Sequence, residues 1–325
     1  MAPAAHNVSP RVWTEAELKE QAQIALDEFV DRRLAEPAGA YLRHVRERRS
    51  AIVRLFKILS YINPEAPDAG VIRTILSDED LFAGLRYVAG PPLSEDDLGV
   101  LVTRDVGGLK KRAIAEDDKL PLGVLALVCR LSDPSRFPWL AAKRKPTTRE
   151  LRSAIASTAA LHATQTMVTE RRGYGKLVEQ RLETRLVEMG FVKVSGSMGN
   201  LAPAPFPKKG KISVPNDYPT FPYFFGECVV YERKVDLFIA LKSGRMIALE
   251  AKDSSSALNG KKRLLNDTGG KAKAYADSAG KTIINVALLS GVFSVPDLLA
   301  AQDKGLYLVW AHHLDEFIDW IKTQT

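Results

Sequence analysis

The chain has 325 residues, 46% of them hydrophobic and 26% charged, and 46 Lys and Arg against 39 Asp and Glu give a formal net charge of +7. That is ordinary globular composition, long enough for two domains with their own cores, and the mild basic balance suits a polyanionic partner without requiring one. No apolar run approaches the ~18 residues of a membrane-spanning helix, the start Met-Ala-Pro-Ala-Ala-His has no signal-peptide character, and Cys129 and Cys228 stand far apart without a Cys-x-x-Cys partner. Neither a membrane span nor a secretory leader is expected, the cysteines disfavour a thiol zinc site, and a reduced, soluble, cytoplasmic protein is the expectation.

Residues 1–12 read as a loose arm. From Thr14, with Glu17 three positions on, a capping-box pattern opens a helix reaching about Leu34. A second helix, over about residues 38–62, carries Tyr41, Val45, Ile52, Leu55, Phe56 and Leu59 at helical spacing. It also carries Arg43, Arg46, Arg48, Arg49 and Arg54, which suit either a solvated face paired with Glu47 or contact with phosphate. Short helices follow near residues 70–76, 78–87 and 94–103, the last opened by Ser94 with Asp96 and Asp97 in its first turn. The glycine-bearing basic stretch at 105–112 lacks P-loop spacing. Residues 120–131 form an apolar helix at the centre of this half, ended by Pro134 and Pro138. Lys143, Arg144 and Lys145 then lead into a helix capped by Thr147 or Thr148 and reaching about Thr169. Basic residues at a helix entrance make either a grip on the DNA backbone or a charged interdomain linker.

Glu170-Arg171-Arg172-Gly173 marks the expected boundary between an all-helical part, residues 1–169, and a part where helices and strands alternate, residues 170–325. A helix through Glu179 and Leu186 ends at Met189-Gly190-Phe191. Residues 192–222, rich in Gly, Pro, Ser and Lys, read as a long functional loop. Its Lys208-Lys209-Gly210-Lys211 either approaches DNA or is a solvated tip. The apolar runs 235–241 and 246–249, separated by Lys242-Ser243-Gly244-Arg245, spell a β-hairpin. Alternation puts Asp236, Phe238 and Ala240 on one face of the first strand, and Ala248, Glu250 and Lys252 on one face of the second. The turn brings Asp236 beside Glu250 and Lys252 at a sheet edge, where two carboxylates and an amine can hold a hard divalent cation and polarise a water. Acid-x-Lys also occurs at Glu17, Asp117 and Glu232, but only Glu250-Ala251-Lys252 closes an apolar strand whose predecessor opens on an acid. A solvated hairpin end with a surface ion pair is the plain alternative. A basic helix (260–278), a strand (282–289), a short helix from Val295, a strand (306–310) and a helix from His312 complete a mixed sheet flanked by helices. His312 and His313 fit a cap or a surface better than a metal.

Asp236, thirteen intervening residues and Glu250-x-Lys252 resemble the PD-(D/E)XK nuclease superfamily. A second match is Glu179, on the helix entering the core before the Gly190-Phe191 pair that starts the first strand. Val235 stands where the superfamily has Pro. The resemblance covers roughly residues 172–325 and implies an α+β/α/β architecture: an all-helical N-terminal DNA-recognition domain, then a restriction-endonuclease-like core with a mixed β-sheet flanked by helices. It implies that Asp236, Glu250 and the Ala251 carbonyl hold Mg²⁺, that Lys252 orients or helps deprotonate the attacking water, and that Glu179 assists. Ser254, Ser255 and Ser256, directly after the motif, would contact phosphate or cap the following helix, the cap being the better fit, and Lys261, Lys262 and Arg263 would line the backbone track. The helical domain points to a type II restriction endonuclease similar to the XamI-like family, acting on double-stranded DNA as a homodimer on a palindromic site. A structure-specific repair or Holliday-junction nuclease, or a non-catalytic DNA-binding protein on the same fold, is the alternative; Mg²⁺-dependent plasmid cleavage separates the last.

Overall fold

The structure, a computed structural model, describes residues 9–61, 66–105, 108–194 and 211–325. Lys208, Lys209 and most of the expected N-terminal arm therefore lie outside the described residues. The chain forms two compact units: Ala35–Arg171, and Met1–Leu34 together with Arg172–Thr325.

The first unit is all-helical. Its helices Leu42–Tyr61, Ala69–Ser77, Glu79–Arg86, Glu95–Thr103 and Lys119–Arg130 fall close to their expected positions. They start where side chains can satisfy free backbone amides: Ser94 Oγ accepts from Asp97 N at 2.9 Å, and the Asp78 carboxylate accepts from the amides of Asp80 and Leu81. Ile52, Leu55, Ile72, Ile75, Leu85, Leu98, Val124 and Phe137 make its core. Two expected helices, however, are one. Thr148–Glu188 is a single 41-residue helix opened by a reciprocal Thr147–Glu150 capping box. The expected break at residues 170–173 is absent, since the segment holds no proline and an isolated glycine weakens a helix by only ~1 kcal/mol relative to alanine.

Among its described residues the second unit has nine strands: β1 (Val192–Val194), β2 (Lys211–Ile212), β3 (Tyr223–Phe225), β4 (Cys228–Val230), β5 (Arg233–Val235), β6 (Leu237–Ala240), β7 (Met246–Ser254), β8 (Ile283–Gly291) and β9 (Tyr307–Trp310). Six form a mixed sheet in the order β1-β3-β6-β7-β8-β9; β2, β4 and β5 form a small second sheet. The hairpin has the expected pairing, with β6 antiparallel to β7 and Phe238 opposite Ala248. Gly244, at φ 81°, supplies the left-handed residue of its turn. Strand β7 runs beyond the apolar 246–249 to Ser254, because its polar end pairs in parallel with Ala287–Gly291 of β8. The expected long loop at 192–222 contains β1, β2 and a short 3₁₀ turn among its described residues.

Helices cover both sheet faces. On one face, Val178, Leu182 and Leu186 and the C-terminal helix (Phe317, Ile318, Ile321) meet Leu237, Ile239, Ile247, Leu249 and Val286. On the other, Ala272, Leu298, Leu18 and Trp13 meet Ala287, Leu289, Leu308 and Trp310. The first helix, Glu15–Ala35, thus packs almost wholly in the sheet unit and not in the helical one where it was expected. Trp13 decides this: its amide donates to Gln302 Oε1 at 2.9 Å and its indole to Leu308 O at 2.8 Å. Sequence distance gave no sign of a partner almost three hundred residues away.

Candidate active site

Asp236 sits at a bend between β5 and β6, where the chain leaves the small sheet and enters the large one. The expected sheet edge is corrected by the strand order: β6 and β7 are central strands, and Asp236, just before β6, stands opposite the middle of the nine-residue β7. The Asp236 amide donates to Leu249 O at 3.2 Å, and its Oδ2 accepts from the Ala251 amide at 2.8 Å. An extended residue points its N–H and C=O to the same side, so the Ala251 carbonyl lies on the Asp236 side of β7.

Glu250 follows the alternation of β7 to the face carrying Phe238 and Ala248, and is only 4% exposed. Both its oxygens are occupied: Lys252 Nζ donates to Oε2 at 2.6 Å and Lys271 Nζ to Oε1 at 2.8 Å. The two ammonium groups also lie 3.6 and 3.7 Å from the Asp267 carboxylate. Burial pushes the Glu250 carboxyl above its ordinary range, against the pull of Lys252, and the charge of Asp236 pushes it further. Burial alone would lower the Lys252 ammonium, but Glu250, Asp236 and Asp267 outweigh it and hold the group above its usual value. Lys252 is therefore a firmly protonated cation in this arrangement.

Glu179 projects from the long helix and is 2% exposed, with Lys176 Nζ at 2.5 Å. Burial raises its carboxyl, and the Asp236 charge adds to the rise. Asp236 links the expected residues: its charge acts on Glu179, on Glu250 and on Lys252. Lys271 and Asp267 were missed, as was Tyr275, whose buried hydroxyl has no hydrogen-bond partner among the described residues and feels Glu250 and Asp236. The available signal was the spacing Asp267, Lys271, Tyr275, one helical face at four-residue steps following the motif strand. A π-helical turn at Lys262–Thr268 before the Gly269–Ala279 helix sets how that face meets β7.

Among the described residues no cluster of three or more His, Cys, Asp or Glu forms a dedicated metal cage. The donor set is nevertheless apt for Mg²⁺, which takes hard oxygens, often only one or two carboxylates, and keeps several waters. Partly buried Asp236 and buried Glu250, with one carboxylate more than the local lysines balance once Asp267 is included, fit a divalent cation.

The expected DNA-contacting residues separate into groups. Lys261 and Lys262 are exposed beside the site, and Arg263 donates to the Asp253 carbonyl at 2.7 Å, tying the π-helical turn to the end of β7. Ser254 is corrected: it is 1% exposed and donates to Ser256 O at 2.8 Å, so it faces packed protein. Ser255 is exposed, while Ser256 is the cap, accepting from Asn259 N. Lys143, Arg144 and Lys145 are exposed in the helical unit, with Arg144 committed to Glu150 at 2.5 and 2.9 Å. His312 and His313 both share Gln21 Oε1 and pin the first helix.

Among solved structures, protein VC1899 from Vibrio cholerae aligns over 85% of this chain and 57% of its own, at 13% identity and a TM-score of 0.29, a likeness too slight to speak to architecture. The Type II restriction enzyme XamI from Xanthomonas campestris pv. amaranthicola is 32% identical over 281 residues, covering 84% of this chain and 93% of that enzyme. The family model of the XamI restriction endonuclease matches residues 68–310, a span holding Glu179, Asp236, Glu250, Lys252 and Lys271. The chain belongs to the XamI restriction endonuclease family.

Proposed function

We propose that this chain is a Mg²⁺-dependent, site-specific endonuclease that hydrolyses phosphodiester bonds of double-stranded DNA. The observation that carries the reading is the meeting of Asp236, at the start of β6, with Glu250 and Lys252 of the adjoining central strand β7, Lys252 Nζ lying 2.6 Å from Glu250 Oε2. Family membership supports cleavage of DNA at defined sites. When bound, Mg²⁺ supplies Lewis-acid polarisation of the phosphate and a more acidic water. Asp236, Glu250 and the Ala251 carbonyl offer it oxygen ligands. Lys252, held protonated, orients the nucleophile and offsets charge gathering on the phosphate oxygens. Glu179 adds a further buried acid beside Asp236.

In this reading the helical unit recognises the site, and the enzyme acts as a homodimer on a palindromic sequence. Lys261 and Lys262, with Lys143 and Lys145, contribute phosphate contacts that position the duplex but carry no sequence information. The test is Mg²⁺-dependent plasmid cleavage by purified Asp236→Asn, Glu250→Gln and Lys252→Ala. The carboxylate variants should be inactive and Lys252→Ala slowed by roughly 10²–10⁴-fold, each still folding and binding DNA. Wild-type cutting by either carboxylate variant would remove the site.

A further inference from the structure

The Glu250 carboxylate is shared between two ammonium groups, one on each oxygen, and both belong to side chains that are largely buried: Lys252 12% and Lys271 16% exposed. They come from different elements. Lys252 lies two residues along β7 from Glu250, whereas Lys271 reaches in from the first turn of the Gly269–Ala279 helix. A buried carboxylate left without a cation is strongly disfavoured. If Lys252 alone faced Glu250, its ammonium would be pinned there and unavailable to a nucleophile. With Lys271 on Oε1, Glu250 keeps a counter-charge when Lys252 turns away. Asp267, four residues before Lys271 and half-exposed, lies within ion-pair range of both lysines and steadies the pair. A tether for the helix is not needed from Lys271, because Leu264, Ala272 and Tyr275 already bury that segment against the sheet.

Resting on the reading of Asp236, Glu250 and Lys252 as the cleavage centre, we propose that Lys271 is a positioning residue for that centre. It supplies Glu250 with a counter-charge through Oε1 and thereby frees Lys252 to serve the attacking water. Each carboxylate oxygen has two lone pairs, so the hydrogen bond from Lys271 leaves Glu250 able to bind a cation. Lys271 touches neither substrate nor nucleophile and acts only through Glu250.

The experiment compares the full-length chain with Lys271→Met, Lys271→Arg and Glu250→Gln. It measures single-turnover plasmid cleavage at saturating Mg²⁺, Mn²⁺ binding to the DNA-free protein by electron paramagnetic resonance, and DNA affinity in Ca²⁺. Lys271→Met should cut about 10- to 100-fold more slowly, the usual effect on activity of losing a hydrogen-bond partner of a ligating residue. Its DNA affinity should be unchanged, and its Mn²⁺ affinity should be undiminished, because a competing cation beside Glu250 has been removed. Lys271→Arg, which keeps a cation and a donor, should recover most of the rate. Should the Met variant fail to fold, Lys271→Gln carries the same expectations. A wild-type rate in Lys271→Met, with Glu250→Gln inactive, would overturn the role of Lys271 alone. Wild-type cutting by Glu250→Gln would overturn the site itself. Parallel loss of Mn²⁺ affinity and rate in Lys271→Met would overturn the freeing of Lys252 and make Lys271 a determinant of metal affinity.

Discussion

His162 lies in the helical unit, 8% exposed, stacked on Tyr87 with ring centroids 4.3 Å apart. Burial, helped by the charges of Arg48 and Arg86 and opposed by Asp80, pulls its pKa down to about 4 from an ordinary 6.5. The unfolded chain therefore takes up the proton first as pH falls. Stability contributed by the neutral ring is fully present above about pH 6.5 and is lost as pH drops through about 4. At ~1.4 kcal/mol per pH unit between those limits, the loss is roughly 3 kcal/mol. Thermal melts of wild type and His162→Gln at pH 7 and pH 4.5 check this. The variant should be less stable at pH 7, having lost the ring stack, yet decline less on acidification. Equal declines would mean that the ring is not what acid attacks in this unit.

The ends of β7 and β8 are the element on which the centre depends, since β7 carries Glu250 and Lys252. Gly291 closes the ladder opposite Ser254 at φ 84°, and a Cβ there would stand 2.2 Å from the Ser254 carbonyl oxygen. Gly244, in the hairpin turn, has φ 81° but nothing within 4 Å of a Cβ. Alanine at 244 should cost about 1–2 kcal/mol, the strain of the left-handed conformation alone. Alanine at 291 adds a clash with backbone that cannot yield, so about 2–4 kcal/mol is expected. Urea denaturation should rank Gly291→Ala well below Gly244→Ala, with cleavage impaired only in the former. Equal stabilities would show that the two strand ends part easily and that the centre rests on something else.

For the whole molecule, the division of the chain sets what can be cut away. A fragment beginning at Arg172 holds Glu179, Asp236, Glu250 and Lys252, yet it lacks Trp13, Leu18 and Ala25, which cover Leu289, Leu308 and Trp310. Uncovering that face should leave a fragment that binds a hydrophobic dye and melts without a sharp transition. Adding a peptide of residues 9–34 should restore cooperative melting. A sharp, peptide-independent transition would show that the first helix is dispensable. The net charge of +7 bears on the intact chain. If the exposed Lys143, Lys145, Lys261 and Lys262 contact a duplex, log K for DNA should fall against log salt by about 0.9 for each phosphate neutralised. A flat dependence measured by fluorescence anisotropy in Ca²⁺ would rule out the backbone track.

The sequence by itself determined the hairpin, its register and the meeting of Asp236 with Glu250 and Lys252. All of these follow from a two-residue period and one tight turn, which act over fewer than twenty residues. The capped helix starts were legible for the same reason, as local patterns, whereas Glu179 was singled out by the superfamily resemblance. Only the tertiary structure decided that the hairpin lies mid-sheet, that the first helix docks on the far side of β8 and β9, and that Lys271 takes the second oxygen of Glu250. Each of those depends on burying apolar faces between segments remote in sequence, and burial is not directional along a chain. The continuity of the Thr148–Glu188 helix through Gly173 belongs with them. A single weak helix former reads as a boundary in one dimension, but the flanking turns carry it once their faces are packed.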